Sequence, residues 1–241
     1  MEILHISTLA ERIRKAIDEK ERIILYGDAD LDGVTSVILL KEAITSLGGE
    51  VAECAFQDRL NEGYGLNIHA IRRFEPLAPA LIIMMDVGIS NIEEIPIANE
   101  KGFEVVLIDH HKTQDTLPSA SIIVDPKQPD DPFPFKEYAA CGLTWKVAEH
   151  LLGEKLTPSL RKNLLELAAL GTIADMMPKE AENEQIIEEG MEAFAESWRP
   201  GIRAFLELEE FQDIVSLDQK VYQIISVLNV RDVEDGKPGA Y

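Results

Sequence analysis

The sequence has little cysteine, little positive charge and no long apolar run. Only two cysteines, Cys54 and Cys141, stand among 241 residues. That is too few for a disulfide framework, and neither belongs to a metal-binding cysteine pair, so buried free thiols are expected. No stretch is apolar for long enough to cross a bilayer. Residues 1–20 mix charges with apolar residues at helical spacing and lack the pattern of a signal peptide. A soluble cytoplasmic protein without a membrane partner is expected. Lysine and arginine total 23 against 44 acidic residues, a formal net charge of -21. Such a surface repels polyanions overall, which argues against a simple basic-groove nucleic-acid binder. It does not argue against a metal-dependent enzyme, because carboxylates gathered around cations enter the same total.

Hydrophobic residues make up 46% of the chain, enough for a sizeable core. Residues 7–20 read as an amphipathic helix capped by Ser7 or Thr8. Short apolar runs follow at 22–26, 51–56, 80–85 and 104–108, each bounded by polar or glycine-rich residues. Helical patterns lie between them at 34–47, 67–74 and 92–101. Continuous apolar strands alternating with helices mark a mainly parallel sheet covered on both faces, so a doubly wound α/β fold is expected. A proline-rich loop, 125–134, admits neither helix nor central strand. Beyond it the pattern is helical at 140–152, 158–174 and 183–197. A break follows at 198–201, and a further helical segment ends in the turn-prone residues 235–239. No internal repeat is present.

In open parallel sheets ligands bind beyond the carboxyl ends of the strands. The residues that follow each expected strand are therefore informative. They are Gly27-Asp28-Ala29-Asp30-Leu31-Asp32-Gly33, then Asp86-Val87-Gly88, then Asp109-His110-His111. Three alternating aspartates can crowd carboxylates into a small volume, at a cost that a cation removes. They also suit a solvated turn with Asp32 as a helix cap. An EF-hand is excluded, because its twelfth position falls on Leu39, where a bidentate glutamate is needed. A lone histidine is usually structural. Two adjacent histidines after an apolar strand, preceded by an aspartate, point to a site. Carboxylates with imidazole suit Mn²⁺ or Mg²⁺ better than structural zinc.

At these residues the sequence resembles the DHH phosphoesterase superfamily and, within it, the RecJ-like exonucleases. The four stretches that carry the resemblance are 27–33, 85–91, 108–111 and 171–178, the last being Gly171-Thr172-Ile173-Ala174-Asp175-Met176-Met177-Pro178. Residues 58–66, 125–129 and 140–146 favour the RecJ-like branch over small-nucleotide phosphatases. The resemblance implies that Asp30, Asp32, Asp86, His110 and Asp175 ligate metal, with Asp86 as the bridge and Asp28 as an extra ligand. It places His111, with Asp109, at the scissile phosphate. Tyr26 stands where many members carry a histidine. The resemblance also implies a catalytic domain over 1–197. Residues 198–241 become a helical linker toward a DHH-associated domain that is truncated or absent.

Two divalent cations, Mn²⁺ preferred and Mg²⁺ possible, would support in-line attack on phosphorus. Arg59 is a candidate for pairing with phosphate, and Tyr64, between Gly63 and Gly65, for stacking on a base. Ser36 is a candidate for seating a phosphate at a helix N-terminus. Each has a plain alternative: a surface salt bridge, a turn filler and a cap. The expected activity is exonucleolytic hydrolysis of single-stranded DNA or RNA, with the 5′ to 3′ polarity resting on the resemblance alone. The alternatives are a phosphatase of small nucleotides or short oligonucleotides, and a weakly active replication or repair scaffold working with other repair proteins.

Overall fold

The computed structural model describes residues 1–234 and 236–241, so Asp235 of the expected closing turn lies outside the described residues. Its centre is a five-stranded parallel sheet in the order β2-β1-β3-β4-β5. The strands are β1 (Ile23–Gly27), β2 (Val51–Phe56), β3 (Ala80–Met85), β4 (Phe103–Ile108) and β5 (Ile122–Val124). In-register parallel pairing joins β1 to β3 and β3 to β4 along their whole lengths.

Alternation along these strands splits the core in two, because successive side chains leave opposite faces. Leu25, Ile83, Met85, Val106, Ile108 and Val124 face one layer. There they meet the helices α1 (Ile6–Asp18), α2 (Leu31–Ser46), α5 (Ala140–Leu152) and α6 (Pro158–Ala174). Ile24, Tyr26, Ile82, Met84, Val105 and Leu107 face the other layer, which is covered by α3 (Ile68–Phe74) and α4 (Glu94–Glu100). Both faces are thus buried, as the unbroken apolar runs require. The doubly wound α/β fold expected from the sequence is the fold observed.

The order in which strands are added reverses between β1 and β3: β2 lies on one side of β1, whereas β3, β4 and β5 are added on the other. This switch point leaves a crevice at the carboxyl edge, where the turns after β1 and β3 diverge. The Asp28 N–H donates to the Met85 carbonyl at 3.3 Å, tying the two turns together.

Some local details differ from expectation. The first helix begins at Ile6 after His5 in the left-handed region, and neither Ser7 nor Thr8 caps it. Ser7 Oγ instead donates to Glu2. Helix α2 begins at Leu31, three residues early, and its cap is Asp30, which accepts from the Gly33 N–H at 3.3 Å. Gly33 is required there: a Cβ would lie 2.4 Å from the Asp28 carbonyl oxygen. Strand β5 was not expected, since three residues are too few to show a pattern.

Helix α7 (Ala181–Ala195) lies against α6. After it come α8 (Pro200–Glu207), α9 (Glu209–Gln212) and α10 (Leu217–Leu228). Ile202, Phe211, Val221, Ile224 and Ile225 pack with Leu31, Leu170 and Phe194 into a third apolar cluster. Arg199 joins the same region to α2 and α6 through Glu42 and Glu166. A short hairpin, β6 (Val233–Glu234) with β7 (Lys237–Pro238), closes the described chain. Among the described residues no helix is long and apolar enough to cross a membrane.

Candidate metal centre

Three turns at the carboxyl edge and the carboxyl end of α6 supply the polar residues, and they converge on the crevice at the switch point. Asp28 and Asp30 follow β1. Asp86 follows β3 and adopts φ 61°, a left-handed conformation that aspartate tolerates better than most residues. Asp109, His110 and His111 follow β4. Asp175 caps the carboxyl end of α6.

Three groups of potential ligand atoms each lie within 4.8 Å of one another: Asp28, Asp30 and Asp86; Asp86, His110 and His111; and Asp32, His110 and Asp175. Asp86 and His110 each belong to two groups. The His110 Nε2 lies 3.2 Å from Asp86, 3.6 Å from Asp175 and 3.8 Å from Asp32.

The electrostatics are those of anions forced together. Burial pushes the Asp86 carboxyl well above the usual carboxylate range, and the charges of Asp32, Asp30, Asp28 and Asp109 add to that. Asp28 is raised by burial and by Asp30, with Gln57 and Arg59 opposing. Burial lifts Asp175 to about 7, helped by Asp32 and Asp30. Burial also lowers His110. Asp175 Oδ2 and His110 Nδ1 are buried without a hydrogen-bond partner. Oxygen and imidazole donors converge here, and burial together with their mutual charge disfavours leaving the carboxylates unpaired. That donor set fits hard or borderline divalent ions.

Asp109 and His111 form a separate unit. Asp109 is fully buried and accepts from the backbone N–H groups of Ile89, His110 and His111. Its Oδ1 lies 2.7 Å from His111 Nδ1. Burial alone would raise the Asp109 carboxyl, but the bond and charge of His111 bring it below its ordinary value. The same bond raises His111. Asp109 therefore holds the ring and does not face the crevice, while the His111 side chain is 41% exposed. A proton on Nε2 of that ring can be donated outward.

Asp32 has different company from its neighbours. Its two oxygens accept from the N–H groups of Ala140 and Cys141, both at 2.8 Å, at the start of α5. It closes two of the orphan donors at that helix end. Asp28, expected as an extra ligand, is one of the three members of a group of potential ligands with Asp30 and Asp86.

Arg59 contacts Asp28 and lies over the Tyr64 ring, 4.7 Å from its centroid. Tyr64 is 47% exposed beside the crevice. Gly65 adopts φ 80°, donates to Gln57 Oε1 at 2.7 Å and accepts from the Tyr26 hydroxyl at 3.1 Å. It shapes the loop, and a Cβ there would meet Asn91 Oδ1 at 2.5 Å. Tyr26 points to that loop and packs on Phe74, away from the aspartates. Ser36 corrects an expectation. It lies in the second turn of α2, is fully buried and has no partner for Oγ, so no phosphate at the helix N-terminus can reach it.

Sequence reasoning missed Gln57, Asn229 and Arg231. Gln57 directly follows β2, so the rule that sites lie beyond strand ends could have found it. Asn229 Oδ1 accepts from the Leu31 N–H at 3.1 Å, and Arg231 pairs with Asp30 at 3.1 Å. Nothing local in the sequence marks either residue, because the contacts span about two hundred positions.

The chain's residues 22–172 match the DHH family, N-terminal domain. The chain belongs to the DHH family. It is 41% identical over 199 residues to the single-stranded-DNA-specific exonuclease RecJ of Bacillus subtilis (strain 168), covering 83% of this chain and 25% of that protein. To the enzyme of the same name from Escherichia coli (strain K12) it is 35% identical over 210 residues, covering 82% and 36%. A crystal structure of exonuclease RecJ bound to manganese superposes with a TM-score of 0.81 at 26% identity, covering 95% of this chain and 57% of that one. The chain thus spans about a quarter to a third of the length of these two curated relatives. The four stretches that carried the resemblance lie within this DHH match or just beyond its end, where Asp175 stands.

Proposed function

We propose that this DHH domain is a divalent-metal-dependent phosphodiesterase acting as an exonuclease on single-stranded DNA. The observation that carries the reading is the convergence of Asp28, Asp30, Asp32, Asp86, His110 and Asp175 on the switch-point crevice, beside the His111–Asp109 pair. The names of the relatives support the substrate class, and the Mn²⁺-bound RecJ structure supports the choice of ion. Asp28, Asp30 and Asp86 would hold one ion, and Asp32, Asp86, His110 and Asp175 a second, with Asp86 shared. Asp32, whose carboxylate lies 3.8 Å from His110 Nε2, also holds the start of α5. Two such cations, when bound, neutralise phosphate oxygens and generate a hydroxide nucleophile near neutral pH.

The chain's own residues do the rest. The protonated His111 ring, held by Asp109, donates to a non-bridging oxygen as charge develops there. Arg59 and Arg231 bring guanidinium groups to the rim, where they can fork onto phosphate oxygens. Tyr64 offers a half-exposed ring on which a terminal base can stack. Cutting of short oligonucleotides is favoured over tight binding of long strands, because the net charge of -21 leaves few cations to neutralise an extended backbone.

A 3′-labelled single-stranded oligonucleotide incubated with the protein tests this reading. Stepwise release of nucleotides in Mn²⁺, abolished by EDTA and restored by added Mn²⁺, is the expected result. Undiminished hydrolysis in chelator contradicts it.

A further inference from the structure

The proline-rich turn after β5 has no part in the metal centre, yet it is built with unusual care. Asp125, fully buried at the strand end, accepts from the Lys127 N–H at 2.7 Å. Its carbonyl accepts from the Gln128 N–H at 3.1 Å. Gln128 is itself buried and donates its side-chain amide to the Ile123 carbonyl at 3.0 Å. Pro126 and Pro129 fix φ on either side. The Lys127 carbonyl accepts from Thr113 Oγ1 at 3.5 Å, which joins the turn to the loop that carries His110 and His111. Asp125 Oδ2 is left buried without a partner, a cost that folded proteins accept mainly where a site must be positioned.

Two buried polar side chains thus fix the backbone of Lys127, whose own side chain remains 26% exposed. The ammonium's ion-pair partner, Glu137 at 3.7 Å, is half exposed. A pair of that kind is weak and leaves ammonium donors free for another acceptor. Lys127 stands beside the loop that carries His110 and His111, to which its carbonyl is joined through Thr113. Sheet order gives its position relative to Arg59. Arg59 follows β2 at one edge of the sheet and Lys127 follows β5 at the other, with Asp86 between them after β3.

We propose that Lys127 is a substrate-binding residue that contacts a backbone phosphate on the β5 side of the scissile group, while Arg59 serves the β2 side. A nucleic-acid strand then lies along the carboxyl edge of the sheet, across the strand ends, with its reacting phosphate over Asp86. The inference rests on the phosphodiesterase reading above and adds the path of the strand.

The test is the salt dependence of affinity for a labelled hexathymidylate, measured by fluorescence anisotropy in Mn²⁺. A His111→Ala background suppresses cleavage. Lys127→Gln should weaken binding and make the slope of log K against log[salt] shallower by about 0.7, the value for one phosphate contact on a single strand. A hexacytidylate should lose as much, since phosphate contacts carry no sequence information. Lys127→Arg should keep the original slope. Lys101→Gln, which removes the same charge next to the amino end of β4, should also keep it. An unchanged slope in Lys127→Gln overturns the contact. Equal loss of binding in Lys127→Gln and Lys127→Arg, with a lowered melting temperature, assigns the residue a purely structural role and also overturns it. If the unsubstituted background binds neither oligonucleotide, the strand-binding reading itself falls, and the contact with it.

Discussion

At the scale of single residues, the His111–Asp109 pair gives the sharpest expectations. His111 is raised from its ordinary 6.5 chiefly by the hydrogen bond to Asp109. The donating form is the protonated ring, so activity that depends on it falls as pH rises through that raised value. Asp109→Asn removes the charge that raises His111, and the falling limb of the pH–rate profile should then move to lower pH. A limb at unchanged pH would show that Asp109 does not set this group. His111→Ala should keep its metal and lose roughly 10²- to 10³-fold in kcat, the usual effect of deleting a transition-state donor. Elemental analysis alongside steady-state rates separates that outcome from simple loss of the ions. The adjacent His–His pair was legible as a site in the sequence. The division of labour came only through the resemblance, because the residues alone do not tell which ring nitrogen Asp109 reaches.

At the scale of elements, the question is how the turn after β1 is held. Asp32 ties α2 to the start of α5 through the Ala140 and Cys141 N–H groups. Asp32→Ala leaves both donors buried and unpaired, which costs about 1–3 kcal/mol for each such group. Chemical denaturation should show the loss, and elemental analysis should show a reduced metal content, since Asp32 is also grouped with His110 and Asp175. A variant that keeps its full metal content would remove Asp32 from the ligand set. Gly33→Ala should also destabilise, because the added methyl overlaps the Asp28 backbone. Overpacking of that kind costs about 1–3 kcal/mol or more and displaces the carboxylates with it.

The apolar runs of β1 to β4 were plain in the sequence, since a strand buried on both faces leaves an unbroken hydrophobic signature. Strand β5 was too short to leave one. The start of α2 was misplaced because Leu31 and Asp32 look like loop residues until Asp30 is seen to cap the helix. Ser36 was misplaced by the same error.

At the scale of the whole molecule, the chain gathers anions twice: in the crevice and over a surface of net charge -21. Ions that bind only the folded state stabilise it by mass action, by about 2.7 kcal/mol at a concentration one hundred times Kd. The melting temperature should therefore rise with Mn²⁺ and fall with EDTA, and an unchanged value would count against a built site. The acidic surface was readable from composition alone. The contacts of Arg231 with Asp30 and of Asn229 with Leu31 were not, because only the folded chain brings 229–231 back over the first turn.

The most direct test of the metal centre is calorimetric titration of Mn²⁺ into metal-stripped protein, for the unaltered chain and for Asp86→Asn. Asparagine tolerates the left-handed backbone at that position, so the substitution isolates the carboxylate. Binding of two Mn²⁺ per chain, lost or reduced to weak residual binding in Asp86→Asn, is the result expected. No binding by the unaltered chain, or full binding by Asp86→Asn, would contradict the account.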